Sequence, residues 1–118
     1  MKAGNLKSSL TKEKEIELTV TGRKSRKLIP RPVWFVLKGT DLLLLPVTGT
    51  SSQWYKNILQ NPQVKVSSSG QTIAGKLRPV TGKREVEQVI QLFRKKYGSR
   101  DVERYYPNPN VAVSLPLD

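Results

Sequence analysis

The chain has 118 residues, 21 Lys plus Arg against 9 Asp plus Glu, and a formal net charge of +12. That length holds one hydrophobic core and not two, and the charge suits a polyanion or a small ligand bearing phosphate and carboxylate groups. With neither Cys nor His in the chain, disulfides, thiolate or imidazole metal sites, thiol nucleophiles and a Ser-His triad are excluded.

Residues 1–14 read as a polar leader and residues 15–118 as a single domain. The leader has no apolar stretch of signal-peptide length. The longest apolar run, Leu42–Val47, is far short of the roughly 20 residues that span a bilayer. The expectation is a cytoplasmic protein with no transmembrane segment.

Ile16, Leu18 and Val20 alternate with polar residues over 15–21, the period-two mark of a half-buried strand. Gly22 ends it, and a cationic loop follows: Arg23, Lys24, Ser25, Arg26 and Lys27. Pro30 and Pro32 punctuate the start of a second strand, Val33–Leu37. A tight connection at Gly39 leads to a third, Leu42–Val47, apolar on both faces and therefore central. These two runs predict a hairpin.

Thr48–Ser52 is a second polar loop, and a short helix over 53–60 follows it. Ser51 or Ser52 is placed to cap that helix, and Asn61-Pro62 stops it. Val64 and Val66 mark a fourth strand. Thr72–Val80 marks a fifth, with Gly75 a candidate bulge. The one long helix is Lys83–Tyr97, its stripe formed by Val86, Val89, Ile90, Phe93 and Tyr97. Gly98 stands at its end. A short segment over 99–106 and a strand through Val111, Val113 and Leu115 close the chain. Strands with helices at the margins predict a mainly β, α+β fold, a small barrel of about six strands.

Both polar loops follow strands, and their chemistry is complementary. The first offers Arg forks and Lys ammonium groups for phosphate or carboxylate. The second offers hydroxyls, a glycine and a helix N-terminus, which favour an anion or a carbonyl oxygen. Together they suggest one ligand with an anionic tail and a flat polar head. The ordinary alternatives are a solvated turn and a plain helix cap. Trp54 and Tyr55 are more often core than ligand stackers, whereas Tyr105-Tyr106 lies off any regular stripe and could cover a pocket.

The stretch VTGRKSRKLIPRPVWFVLKGTDLLLLPVTGTSSQWYKNILQNPQVKV resembles the core of the deazaflavin-dependent nitroreductase family, small split β-barrel oxidoreductases related to FMN-binding barrels. The match covers about residues 16–80; beyond it the likeness is one of outline. It implies a site for coenzyme F420, a 5-deazaflavin with a phosphate and an oligoglutamate tail. By that resemblance Arg23, Lys24 and Ser25 would hold the phosphate, with Lys27 toward the tail. Pro32, Val33 and Trp34 would line the channel. Pro46, Val47, Thr48, Gly49 and Thr50 would cradle the deazaflavin, and Trp54, Tyr55 and Asn57 would support it. Tyr105 and Tyr106 are the candidate proton donors to a small-molecule electron acceptor, a quinone, enone or nitroaromatic. Arg26 departs from the family, which usually has Gly there; a positive φ at that position would then fall on a side chain.

Three rivals stand beside this reading. The same loops could hold FMN. The basic charge with Trp34, Phe35 and Tyr55 could form a nucleic-acid stacking platform, although no RNA-binding motif is present. The pocket could also sequester a coenzyme without turnover. An exposed sheet edge makes a homodimer possible.

Overall fold

The computed structural model describes residues 13–68, 70–107 and 109–117; most of the polar leader, residues 1–12, lies outside them. The chain folds as β1 (Glu15–Thr21), β2 (Leu28–Trp34), β3 (Val36–Lys38), β4 (Asp41–Leu44), a 3-10 turn (Gly49–Ser51) and α1 (Gln53–Gln60). There follow β5 (Gln63–Ser68), β6 (Gln71–Lys76), β7 (Arg78–Val80), α2 (Lys83–Tyr97), α3 (Ser99–Tyr105) and β8 (Ala112–Pro116). The strands form two antiparallel four-stranded sheets, in the orders β2-β1-β5-β6 and β3-β4-β8-β7. This is a split β-barrel, not a closed one. Among the described residues no helix is long and apolar enough to cross a membrane.

Eight strands replace the expected six or so because two predicted strands each break at one residue. The run 33–37 breaks at Phe35, and the run 72–80 breaks at Leu77; at each point the chain passes from one sheet to the other. Both side chains are buried, Phe35 completely, and each contributes about 1.5–3 kcal/mol by leaving water. Backbone groups freed at the breaks find other partners. The Leu77 N–H donates to the Pro62 carbonyl at 2.9 Å.

Strand β4 sits inside its sheet, as its two apolar faces predict. Leu42 and Leu44 face the other sheet, in a core with Ile16, Leu18, Val20, Val66 and Leu115. Leu43 and Leu45 face the opposite way, against Val86, Val89, Ile90 and Phe93 of α2 and Val102 of α3. The strand stops at Leu44, three residues short of the expected end. Leu45 and Pro46 already belong to the bend that builds the site.

Gly75 makes no bulge. The β5–β6 register runs unbroken from Gln63↔Lys76 to Ser68↔Gln71. Its glycine is needed for close approach, since a Cβ there would lie 2.6 Å from Leu115 Cδ1. Pro30 and Pro32 lie within β2, not before it. Strand β2 is an edge, and an edge has a row of N–H groups with no ladder partner to lose.

Candidate active site

The cationic loop is a closed hairpin between β1 and β2. The Gly22 N–H donates to the Lys27 carbonyl and the Arg26 N–H to the Gly22 carbonyl, both at 2.9 Å. Ser25 Oγ accepts from the Lys27 N–H at 3.2 Å. Arg26 has φ 59, so a residue with a side chain takes the left-handed conformation here.

Arg23 is not splayed into solvent. Its N–H donates to Asn57 Oδ1 at 3.1 Å, and its Nη1 donates to the same oxygen at 2.8 Å. Nη2 reaches Gln53 Oε1 at 2.8 Å. Arg23 thereby braces the loop against α1. The side chains of Lys24, Ser25, Arg26 and Lys27 remain exposed, a cationic rim around that brace.

The second loop is a bend, not a helix cap. Ser51 Oγ donates to the Thr48 carbonyl at 2.7 Å, and Ser52, at the α1 N-cap position, makes no side-chain bond to the helix. The first amides of α1 are therefore left uncapped by side chains and free to meet an anion or a carbonyl oxygen. Gly49 is buried with φ 62 and donates to the Pro46 carbonyl. Its freedom shapes the bend itself. Thr50 is held from outside the bend by Asn110, whose Oδ1 accepts from the Thr50 N–H at 3.0 Å.

A pocket of about 820 Å³ lies between edge strand β2, this bend, the start of α1 and the end of α3. Of the candidate residues, Pro32, Val33, Trp34, Val47, Thr48, Trp54, Tyr105 and Tyr106 line it. Tyr55, Asn57 and Gly49 are buried behind its walls, and Arg23 reaches it only through Gln53. Lys14, Glu15, Arg31, Leu45, Ser52 and Gln53 line it as well and were missed. Gln53 was within reach of sequence reasoning, being the first helical residue after the Thr48–Ser52 loop. Lys14 and Glu15 were not, because only the β1–β2 register, Glu15↔Trp34, brings them to the channel.

One wall is aromatic. Trp34 stacks on Tyr97 at 4.2 Å between centroids and 10° between planes, and Tyr105 meets it edge-on at 4.8 Å. Tyr105 is half exposed, whereas Tyr106 is buried against Phe93. Burial, with Tyr97 nearby, pushes the Tyr106 phenol well above the usual range, so it stays a neutral phenol.

The stacking platform for nucleic acid is not present. Phe35 is fully buried and Tyr55 nearly so. A second groove, about 850 Å³, runs along α2 and is lined by Lys38, Lys83, Arg84, Glu87 and Leu92 among others; it shares no residue with the first.

The chemistry of the first pocket suits a phosphate-bearing deazaflavin: Lys14 and Arg31 in its lining, uncapped helix amides, and a cavity walled by apolar and aromatic side chains. Lys24, Arg26 and Lys27 do not line it and stand on the neighbouring loop. The family described as F420H(2)-dependent quinone reductase matches residues 2–113. Among curated proteins none matches significantly. Among solved structures, an F420-H2 dependent reductase, FDR-A, is 19% identical with a TM-score of 0.68, over 87% of this chain and 94% of that one. A chain solved as a domain-swapped dimer gives 19% and 0.68, over 87% and 80%. The conserved hypothetical protein Rv2991 from Mycobacterium tuberculosis gives 15% and 0.76, over 97% and 79%.

Proposed function

The chain belongs to the F420H(2)-dependent quinone reductase family, and from that premise we propose that it reduces a planar, electron-poor acceptor in the pocket described above, a quinone before an enone or nitroaromatic. It is an oxidoreductase, and its cofactor is coenzyme F420.

When bound, the reduced coenzyme supplies a hydride, so the chain itself needs neither His nor Cys for the redox step. The protein's part is position and polarity. Lys24, Arg26 and Lys27 on the rim attract the coenzyme's phosphate and acidic tail, on the loop that Arg23 holds rigid. The bend from Pro46 to Thr50 and the first turn of α1 would hold its polar head. Trp34 and Tyr105 offer flat apolar surface to the acceptor. Tyr106, kept protonated, donates a hydrogen bond to the acceptor's oxygen. Tyr105, open to solvent, relays the proton that completes reduction to the hydroquinone.

The observation that carries this reading is a single cavity that touches Thr48, Gln53, Trp34 and both tyrosines, with Arg23 bonded to one of its walls. A cytoplasmic location and a homodimer belong to the same proposal. The dimer is supported by the uncovered edge strand β2 beside the pocket, and sedimentation tests it.

The test is a parallel titration of the purified chain with F420 and FMN, followed by oxidation of reduced F420 in the presence of a soluble quinone. Saturable quenching of deazaflavin fluorescence, quinone-dependent oxidation and no retention of FMN are expected. A chain that retains FMN and ignores F420 would overturn the proposal. Binding without turnover would reduce it to a coenzyme carrier.

A further inference from the structure

Phe35 is the residue at which the chain leaves one sheet for the other, so its N–H and C=O lie outside both ladders. It is also fully buried, where an unpaired backbone group is costly. Two adjacent residues at the end of α2 serve it. Lys96 Nζ donates to the Phe35 carbonyl at 3.0 Å and stands 3.5 Å from the centroid of the Phe35 ring. Tyr97 Oη lies 3.0 Å from the Phe35 nitrogen, 2.8 Å from its carbonyl oxygen and 2.7 Å from the Lys14 carbonyl oxygen.

A phenol has one proton. One assignment satisfies every group: Lys96 donates to Phe35 O, the Phe35 N–H donates to Tyr97 Oη, and Tyr97 Oη donates to Lys14 O. The hydroxyl then ties the backbone at Lys14 to the backbone next to Trp34. Lys14 and Trp34 both line the pocket, whereas Lys96 and Tyr97 do not. The Tyr97 ring also supports Trp34 from behind, stacked at 4.2 Å.

We infer that Lys96 and Tyr97 are a positioning pair for the acceptor end of the pocket. They fix the place of Lys14 and the tilt of Trp34, and so set acceptor affinity, while the coenzyme's anionic grip on the cationic loop is independent of them. The inference rests on the reading that an acceptor is reduced in this pocket. It goes beyond that reading in naming residues that touch neither reactant.

The perturbation is Tyr97→Phe, which keeps the stacked ring and removes only the hydroxyl. Lys96→Met removes the amine, and Lys96→Arg restores a cationic donor. With the full chain, F420 affinity is read by fluorescence titration, and kcat and KM are read with a soluble quinone. Tyr97→Phe and Lys96→Met should each raise the quinone KM at least fivefold and change the F420 Kd less than twofold; Lys96→Arg should return KM to within twofold of wild type. An unchanged KM, or an equal loss of F420 affinity, would overturn the inference. A wild-type chain that fails to bind F420 would instead refute the proposed function. In that event Trp34 emission, read in a Trp54→Phe background, still decides: acrylamide quenching of Trp34 should rise at least twofold in Tyr97→Phe. Unchanged quenching would overturn the positioning role.

Discussion

Asn57→Ala tests whether the cationic loop is held by the helix behind it. Asn57 is 6% exposed, and its Oδ1 accepts both the Arg23 N–H and Arg23 Nη1. Truncation removes a neutral amide bond and a charge-assisted one. Such bonds contribute about 1 and about 1.5–3 kcal/mol. Water re-solvates the half-exposed guanidinium, which places the combined loss near the lower end, about 2 kcal/mol. For 118 residues the unfolding entropy is roughly 250 cal/mol/K, so this loss lowers Tm by about 8 °C. A loop freed from its brace must be ordered again when it closes on a phosphate, and F420 affinity should fall by about tenfold, or 1.4 kcal/mol. Thermal denaturation and fluorescence titration read the two effects. A double-mutant cycle with Arg23→Met isolates the charge-assisted contact, because both single changes delete the Nη1–Oδ1 bond while the backbone N–H bond is lost only in Asn57→Ala, and the sum of the single effects should exceed the double by at least about 1 kcal/mol. Additive effects, or an F420 Kd equal to wild type in a destabilised Asn57→Ala chain, would refute the bracing argument.

Arg26→Gly should raise stability by about 0.5–1 kcal/mol and Tm by about 2–4 °C, since it relieves a side chain at φ 59 at the cost of a more flexible unfolded chain. Arg26→Ala keeps the strain and should show no such gain in the same melt. Burial, the largest influence on Tyr97, pushes its phenol up to about 12, with Glu15 adding to the rise and the Phe35 backbone bond opposing it. The phenol's folded value is above its unfolded one, so its stabilisation is complete below about pH 10 and is lost as pH climbs through 12. Alkaline absorbance titration of wild type minus Tyr97→Phe should accordingly show a phenolate step near 12. A step near 10 would mean that the hydroxyl is not buried in the network around Phe35.

The parts of this molecule that were legible in the sequence are those a single element decides for itself. The run Leu42–Val47 declared a strand buried on both faces, and its first half, in β4, lies between the two cores. The stripe Val86, Val89, Ile90 and Phe93 declared the face of α2 that is buried. The cationic hairpin was legible as a unit because its charges are consecutive. What escaped were features decided by register and by single-residue breaks. Nothing in the run from Val33 to Leu37 distinguishes Phe35 from its neighbours; it becomes a break only because Tyr97 and Lys96 replace the ladder partners it gives up. Gly75 reads as a bulge until Leu115 is seen lying against it.

The same distinction explains why the site was half visible. Its charge is local, and its walls are not. Arg23 looked like a phosphate ligand because a free guanidinium is the usual partner of a phosphate. In the fold two of its guanidinium nitrogens already donate to side chains of α1, Nη1 to Asn57 Oδ1 and Nη2 to Gln53 Oε1. The donors beside it, Lys24, Arg26 and Lys27, are exposed. Holding one arginine rigid so that three neighbours present charge from a fixed loop lowers the ordering cost of capture. It also ties the loop to α1, to which both Gln53 and Asn57 belong. Gln53 both lines the pocket and bonds Arg23, so the loop and the bend are joined through α1 although three strands, β2, β3 and β4, separate them in the chain.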